Sequence, residues 1–144
     1  MRQGEPLGLG HAVLVARDLV GDESFAVMLG DDVIDADPPA LRQLIDVYER
    51  YQSPVIAVER VGPDQISSYG VIDPEPVGDN VYRIRDLVEK PPREEAPSEL
   101  GIIGRYVLTP DIFAALQETP RDKSGEIQLT NGLRLLLKNR PLYA

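Results

Sequence analysis

Apolar runs and helically spaced apolar residues alternate along the first 60 residues. Residues 12–20 are apolar on nearly every side after a glycine-rich turn, which predicts a buried helix. Residues 24–29 form a continuous apolar run typical of a central parallel strand. Apolar spacing predicts a helix over residues 37–51 with Asp37 as a candidate N-cap, and residues 55–58 predict a second buried strand. This order predicts an α/β sheet with crossover connections.

Antiparallel pairing is predicted beyond residue 60. Residues 69–72 and 81–88 are two strand-like runs that flank a turn rich in proline, glycine, aspartate and asparagine. Residues 101–108 predict one more strand. A short helix capped by Thr109-Pro110 and running through Leu116 follows it, and a last helix is predicted over about residues 126–138. No shift in composition marks a boundary, so we expect one domain over residues 1–144.

The composition limits the function. The chain has 144 residues with 15 Lys plus Arg against 24 Asp plus Glu, and the net charge of −9 disfavours a nucleic-acid-binding surface. An acidic chain can still bind a nucleotide through backbone N–H groups and a magnesium ion. The absence of cysteine excludes a disulfide framework, a thiolate zinc site and a cysteine nucleophile. No apolar run approaches the roughly 18 residues of a membrane span, and we expect a soluble cytoplasmic protein.

Two features near the N-terminus could bind a ligand. The glycine-rich turn at residues 6–11 can bring bare backbone close to a flat or anionic ligand, although a purely structural turn explains it as well. It lacks the ending of a phosphate-cradling loop and does not match the dinucleotide fingerprint. His11 is the one histidine, and packing or capping is favoured over a metal role.

Charged residues follow two of the predicted strands. Asp31, Asp32 and other carboxylates crowd the end of the first strand, where α/β folds place ligands and where magnesium finds oxygen donors. A solvated acidic loop that caps the next helix explains them equally well; Asp31 is the best ligand candidate, Asp32 is the alternative, and Asp37 is assigned to capping. Glu89 and Lys90 end a later strand on opposite faces, suited to a sugar and a phosphate or to an ordinary surface pair.

Six segments, taken in order, resemble the bacterial UTP:glucose-1-phosphate uridylyltransferases over essentially the whole chain. They are Gln3 with Pro6-Leu7-Gly8-Leu9-Gly10-His11-Ala12, Leu29-Gly30-Asp31-Asp32, Tyr69-Gly70-Val71, Val88-Glu89-Lys90-Pro91, Gly104-Arg105-Tyr106-Val107-Leu108, and Gly125-Glu126-Ile127-Gln128-Leu129-Thr130. The resemblance implies a Rossmann-like nucleotidyltransferase fold with a mixed sheet flanked by helices. It also implies an enzyme that uses Mg²⁺ to join UTP and glucose 1-phosphate into UDP-glucose and pyrophosphate.

The resemblance also implies roles for particular residues. Gln3 and the backbone of Gly8 would recognise uracil, and Gly70 and Glu89 would hold the glucose.

In the same way, Lys90 would bind the sugar phosphate and offset its charge, and Asp31 would act through the magnesium ion. Such a reaction needs alignment and charge neutralisation more than a covalent nucleophile.

The chain departs from the family pattern in three places. The family's N-terminal Gly-x-Gly-Thr-Arg-like triphosphate loop and its second magnesium aspartate have no counterpart, and Asn131-Gly132 replaces the usual Asp-Ala. We therefore expect a partial domain, incomplete at both ends, whose activity alone is open. The alternatives are a non-catalytic nucleotide-sugar-binding or assembly module, or a related transferase with another base or sugar. Exposed sheet edges in such a partial domain predict a homo-oligomer.

Overall fold

The computed structural model describes residues 3–144, which form an α/β domain of five strands and five helices. The helices are α1 (Leu9–Val15), α2 (Arg17–Val20), α3 (Ala40–Tyr51), α4 (Asp111–Glu118) and α5 (Leu129–Leu136). The strands are β1 (Phe25–Met28), β2 (Val55–Arg60), β3 (Gly70–Gly78), β4 (Val81–Glu89) and β5 (Leu100–Leu108).

Strand β5 lies at the centre of the sheet. At Val107, β1 pairs with one edge of β5 and β2 with the other. At Gly101, β3 takes the place of β1 on the first edge, and β2 again occupies the second. β4 completes the sheet beyond β3. β1 and β2 therefore point in the same direction, joined by a crossover through α3, with β5 between them. The predicted crossover connection is confirmed.

The prediction that residues 24–29 form a central parallel strand is wrong. β1 pairs antiparallel with β5, and its burial alternates, so Phe25 and Val27 are half-buried while Met28 is 61% exposed. Phe25 stacks on Phe113 of α4 with ring centroids 5.3 Å apart. A continuous apolar run does not reveal whether a strand pairs parallel or antiparallel, because a strand can be buried in either kind of pairing.

The last residues make the sheet mixed, as the resemblance implies. Tyr143 forms a parallel bridge to Val55 and an antiparallel bridge to Arg83. The Tyr82 N–H donates to the Ala144 carbonyl at 2.8 Å, and the Ile56 N–H donates to the Tyr143 carbonyl at 2.9 Å. The C-terminal segment thus fills the space between β2 and β4.

Helices cover both faces of the sheet. α1, α4 and α5 pack on one face, around a cluster that includes Ile56, Leu108 and Leu133. α3 packs on the other face through Leu44, against alternate residues of β2 and β5 such as Val55. Burial on both faces explains why β2 reads as a continuous apolar run.

Three other local predictions need correction. The first predicted helix breaks at Ala16 into α1 and α2 and is buried only on one side, since Leu19 is 71% exposed. α3 begins after Pro39 with no side-chain cap, so Asp37 does not cap it. β3 continues through its prolines to Gly78, which reduces the predicted turn to two residues. Proline is tolerated there because that part of β3 pairs only with β4.

Gly132 of α5 packs directly against Leu116 of α4. A Cβ at this position would lie 2.5 Å from Leu116 Cδ2, and Leu116 is fully buried. The glycine that lowers intrinsic helix propensity therefore permits the helices to pack closely. No helix within residues 3–144 combines the length and apolar character needed to cross a lipid bilayer.

We expect Gly132→Ala to destabilise the fold. The usual gain of about 1 kcal/mol for alanine in a helix should be reversed, giving a loss of about 1–3 kcal/mol from overpacking. Urea denaturation measures the change. Gly62→Ala is the control, because a Cβ there meets no atom within 4 Å. A stabilised Gly132→Ala variant would contradict the packing argument.

Candidate functional site

A cleft of about 300 Å³ lies between the end of β1, the start of β3, the end of β4 and the start of α5. Five of the residues singled out from the sequence line it: Asp31, its alternative Asp32, Gly70, Glu89 and Lys90. Residues remote in the chain therefore share one site, because the pairing of β3 with β4 and of β1 with β5 brings these strand ends together.

The glycine-rich turn joins this cleft at its rim, where Leu9 is part of the lining. The Gln3 Nε2 group donates to the Gly8 carbonyl at 3.2 Å and lies 2.9 Å from His11 Nδ1. Gly8 has φ +91°, and a Cβ there would lie 2.9 Å from the Ile127 carbonyl oxygen. The close contact that requires glycine at position 8 is therefore with Ile127, in the segment before α5. The His11 ring keeps the Gln3 amide in place.

The two aspartates after β1 have different surroundings. The Asp32 carboxylate accepts a hydrogen bond from the Gly104 N–H at 2.9 Å and is half-buried. Asp31 is exposed at the cleft. Arg105 donates to the carbonyls of Leu29 at 2.8 Å and of Asp32 at 2.5 Å. The side chain of Asp32 thus anchors the loop, while that of Asp31 is the more exposed of the two at the cleft that both line.

Gly70 and Glu89 are opposite each other in the β3–β4 ladder. A Cβ at Gly70 would lie 2.8 Å from Thr130 Oγ1 and 3.2 Å from Glu89 Oε2, so glycine keeps the space between them open. Lys90 has φ +44°, which interrupts the extended backbone. Its Nζ lies 4.0 Å from Glu89 Oε1, and both residues line the cleft, so the prediction of opposite faces is wrong.

Tyr106 contributes a neutral phenol to the cleft. Its burial, with the negative charges of Glu89 and Asp32 nearby, raises the pKa of Tyr106 well above its ordinary value. The phenol therefore keeps its proton at physiological pH and can donate a hydrogen bond to a ligand.

The loop before α5 fixes the amide of Gln128, another residue of the cleft lining. Gln128 Nε2 donates to Asp122 Oδ2 at 2.8 Å and to Glu126 Oε2 at 3.0 Å. Both amide hydrogens face carboxylates, so the carbonyl oxygen of the side chain is the remaining acceptor. Hydrogen bonds from Ser124, Gln128 and the Glu126 N–H lower the pKa of Asp122 far below its ordinary value.

Sequence reasoning alone gave no role to several residues of the lining, namely Tyr106, Gln128 and Thr130. They lie in segments that carry the resemblance, but spacing assigns them no chemistry. The contact of Thr130 with Gly70 depends on where α5 meets β3, which periodicity does not reveal.

The carboxylates of the cleft suit a cation that also binds a ligand. No group of three or more His, Asp or Glu side chains within residues 3–144 could enclose a metal ion. Magnesium usually takes one or two carboxylates and completes its coordination with water and phosphate. The exposed carboxylate of Asp31 therefore fits a metal ion shared with a phosphate group.

The fold is that of the nucleotidyltransferases, since residues 1–144 match the family model described as Nucleotidyl transferase. The chain belongs to this family.

Among its relatives, the chain is 51% identical over 144 residues to the UTP–glucose-1-phosphate uridylyltransferase YngB of Bacillus subtilis (strain 168), covering 100% of this chain and 48% of that protein. The corresponding enzyme of Pseudomonas aeruginosa is 49% identical over 135 residues, covering 92% of this chain and 48% of that protein. The chain thus spans about half the length of the curated relatives it matches. The resemblance stated from the sequence is confirmed.

Solved structures support the same family assignment. A crystal structure of UDP-glucose pyrophosphorylase complexed with UDP-glucose has a TM-score of 0.95 and 46% identity, covering 100% of this chain and 55% of that chain. A UTP-bound enzyme from Acinetobacter baumannii has a TM-score of 0.86 and 36% identity, covering 100% of this chain and 50% of that chain. The nucleotidyltransferase fold predicted by resemblance is confirmed.

The lowered pKa of Asp122 predicts a pH dependence of stability. The charged form is favoured in the folded state, so its contribution is fully present above the ordinary aspartate pKa of about 3.9 and is lost as the pH falls towards the lower folded-state pKa. The melting temperature of wild type should exceed that of Asp122→Asn at about pH 6, and the gap should shrink at about pH 3. Thermal denaturation measures both. Asp64→Asn is the control: the Asp64 side chain is 91% exposed, so this variant should melt at the same temperature as wild type at both pH values. A difference in melting temperature between wild type and Asp122→Asn that is the same at both pH values would contradict the lowered pKa of Asp122.

Proposed function

We propose that this chain carries the sugar-nucleotide site of an enzyme that forms UDP-glucose and pyrophosphate from UTP and glucose 1-phosphate. The observation that carries the proposal is the meeting of Asp31, Gly70, Glu89 and Lys90 in one cleft. The similarity of the whole chain to a UDP-glucose complex supports it. We place the protein in the cytoplasm on its composition.

The glucose would lie at the open space beside Gly70. Glu89, whose side chain is 20% exposed, can accept hydrogen bonds from sugar hydroxyls, and charged acceptors make the stronger bonds. Gln3 and the backbone of Gly8 would bind uracil at the rim formed by the glycine-rich turn. The hydrogen bonds of Gln3 to its own turn keep its amide in place for this role.

In the reaction, an oxygen of the glucose 1-phosphate would attack the α-phosphorus of UTP, and the bond from that phosphorus to pyrophosphate would break. Lys90, whose side chain is 60% exposed, would bind the sugar phosphate and offset its charge. Asp31 would hold the magnesium ion, which when bound supplies further charge neutralisation at the phosphates. The neutral phenol of Tyr106 can donate a hydrogen bond within the same cleft.

A second candidate is a nucleotide-sugar-binding or assembly module without turnover. A related transferase with another base or sugar is the third candidate. Binding of UDP-glucose without pyrophosphate release from UTP and glucose 1-phosphate indicates the module, and competition by other nucleotides or sugars indicates the third.

We expect calorimetric titration to show UDP-glucose binding in the presence of magnesium and its loss in Glu89→Gln. Loss of a charged hydrogen-bond acceptor should weaken binding by about 10-fold or more. Glu99→Gln is the control, because the Glu99 side chain is 68% exposed beside Arg60 on the surface. Equal binding by wild type and Glu89→Gln would contradict the sugar site, and no binding by wild type would contradict the proposed function.

We also propose that the chain self-associates. β1 is paired on one edge only among the described residues, and Leu19 and Met28 nearby are 71% and 61% exposed. Light scattering should give a mass above that of the 15.9 kDa chain. Met28→Lys should shift the population towards monomer, whereas Val77→Lys, at a less exposed apolar residue of β3, should not. A monomeric wild type would contradict the proposal.

A further inference from the structure

The loop that follows β1 is fastened to β5 by hydrogen bonds at both of its ends. The Leu29 N–H donates to the Gly104 carbonyl at 2.8 Å, and the Gly104 N–H donates to Asp32 Oδ2 at 2.9 Å. A Cβ at Gly104 would overlap Asp32 Oδ2, so the loop rests directly on the backbone of β5. A side chain at Gly104 would displace the loop.

The guanidinium group of Arg105 bridges the loop from one end to the other. Its Nη1 atom donates to the Leu29 carbonyl at 2.8 Å, and its Nη2 atom donates to the Asp32 carbonyl at 2.5 Å. Nη1 also donates to the Gly104 carbonyl at 2.9 Å. A planar group with several fixed donors can hold three carbonyls at once, which the single ammonium group of lysine cannot do in the same geometry.

Asp31 lies between the two bridged carbonyls. The residues on either side of the Gly30-Asp31 pair are held, and Asp32 uses its carboxylate on Gly104, so Asp31 is the aspartate left exposed at the cleft. Only Gly30 and Asp31 lie between the two held residues, so fixing these ends limits where the Asp31 carboxylate can lie.

We propose that Arg105 is the positioning residue for Asp31, and that it presents this carboxylate to a divalent cation shared with the phosphates of the bound sugar nucleotide. The inference rests on the proposed function. It assigns the cation to Asp31, and it gives Asp32 and Arg105 the task of holding the loop. A carboxylate held in place binds a cation more tightly than one on a mobile loop, because less conformational entropy is lost on binding.

A purely structural role for Arg105 makes a different prediction. If Arg105 only stabilised the fold, its loss would weaken UDP-glucose binding equally with and without magnesium. If it positions Asp31, its loss should remove the magnesium-dependent part of the affinity and leave the metal-free affinity unchanged, since the Glu89 side of the cleft is not altered.

The test is calorimetric titration with UDP-glucose, once with magnesium and once with EDTA. Wild type should bind more tightly with magnesium. Arg105→Ala, Arg105→Lys and Asp31→Asn should each lose most of this enhancement while their Kd in EDTA stays within about twofold of wild type. The double variant Arg105→Ala, Asp31→Asn should lose no more than either single variant, which is the signature of residues acting as one unit.

Arg42→Ala is the control, because Arg42 pairs with Asp46 on the exposed side of α3. It should keep the full magnesium enhancement. Arg105→Lys retains the charge and the aliphatic stem, so it carries the test if circular dichroism shows that Arg105→Ala does not fold. Two results overturn this inference alone: folded Arg105 variants keep the magnesium enhancement, or their affinity for UDP-glucose falls equally in magnesium and in EDTA. Wild type that does not bind UDP-glucose in either buffer overturns the proposed function and this inference with it.

Discussion

Hydrogen bonding along both edges of β5 is the constraint on which the rest of the structure depends. β2 occupies one edge, and β1 and β3 share the other, so the strand fixes the relative positions of three others. Its residues serve both layers as well, because Leu108 is packed beneath α4 and Val107 beneath α3. The cleft exists because this one strand places the end of β1 beside the start of β3.

Close backbone contacts complete the cleft on its other side. The Gly10 N–H donates to the Ile127 carbonyl and the Ile127 N–H donates to the Leu7 carbonyl, each at 2.8 Å. These two bonds tie the start of α1 to the start of α5. A Cβ at Gly10 would lie 2.7 Å from the same Ile127 carbonyl oxygen, so the contact is possible only for glycine. The turn at the rim and the residues from α5 are thus parts of one wall.

Elements that depend on local sequence signals could be predicted, whereas pairing between residues distant in the chain could not. β2, β5 and the hairpin of β3 and β4 follow from apolar runs and turn residues, which are local signals. The antiparallel pairing of β1 is not local, since it depends on a strand more than 70 residues away.

The candidate site likewise contains residues that could be named from the sequence and residues that only the folded structure brings to it. Asp31, Glu89 and Lys90 could be named from charged residues at strand ends, and the resemblance added Gly70. The positive φ of Lys90, which places it beside Glu89, has no sequence signal, because lysine rarely adopts that conformation. Arg105 contacts its loop across 76 positions of the chain, so this contact could be seen only in the folded protein.

The insertion of Tyr143 between β2 and β4 has a consequence for how the chain folds. Its bonds to Pro54 and Ile56 close a loop of nearly ninety residues, and the pairs between β2 and β5 are forty or more residues apart in the chain. Contacts this distant in sequence give a high contact order and slow folding. During synthesis, the edges of β1 and β2 therefore emerge from the ribosome well before the strand that pairs with both, and they remain open to wrong partners until β5 arrives.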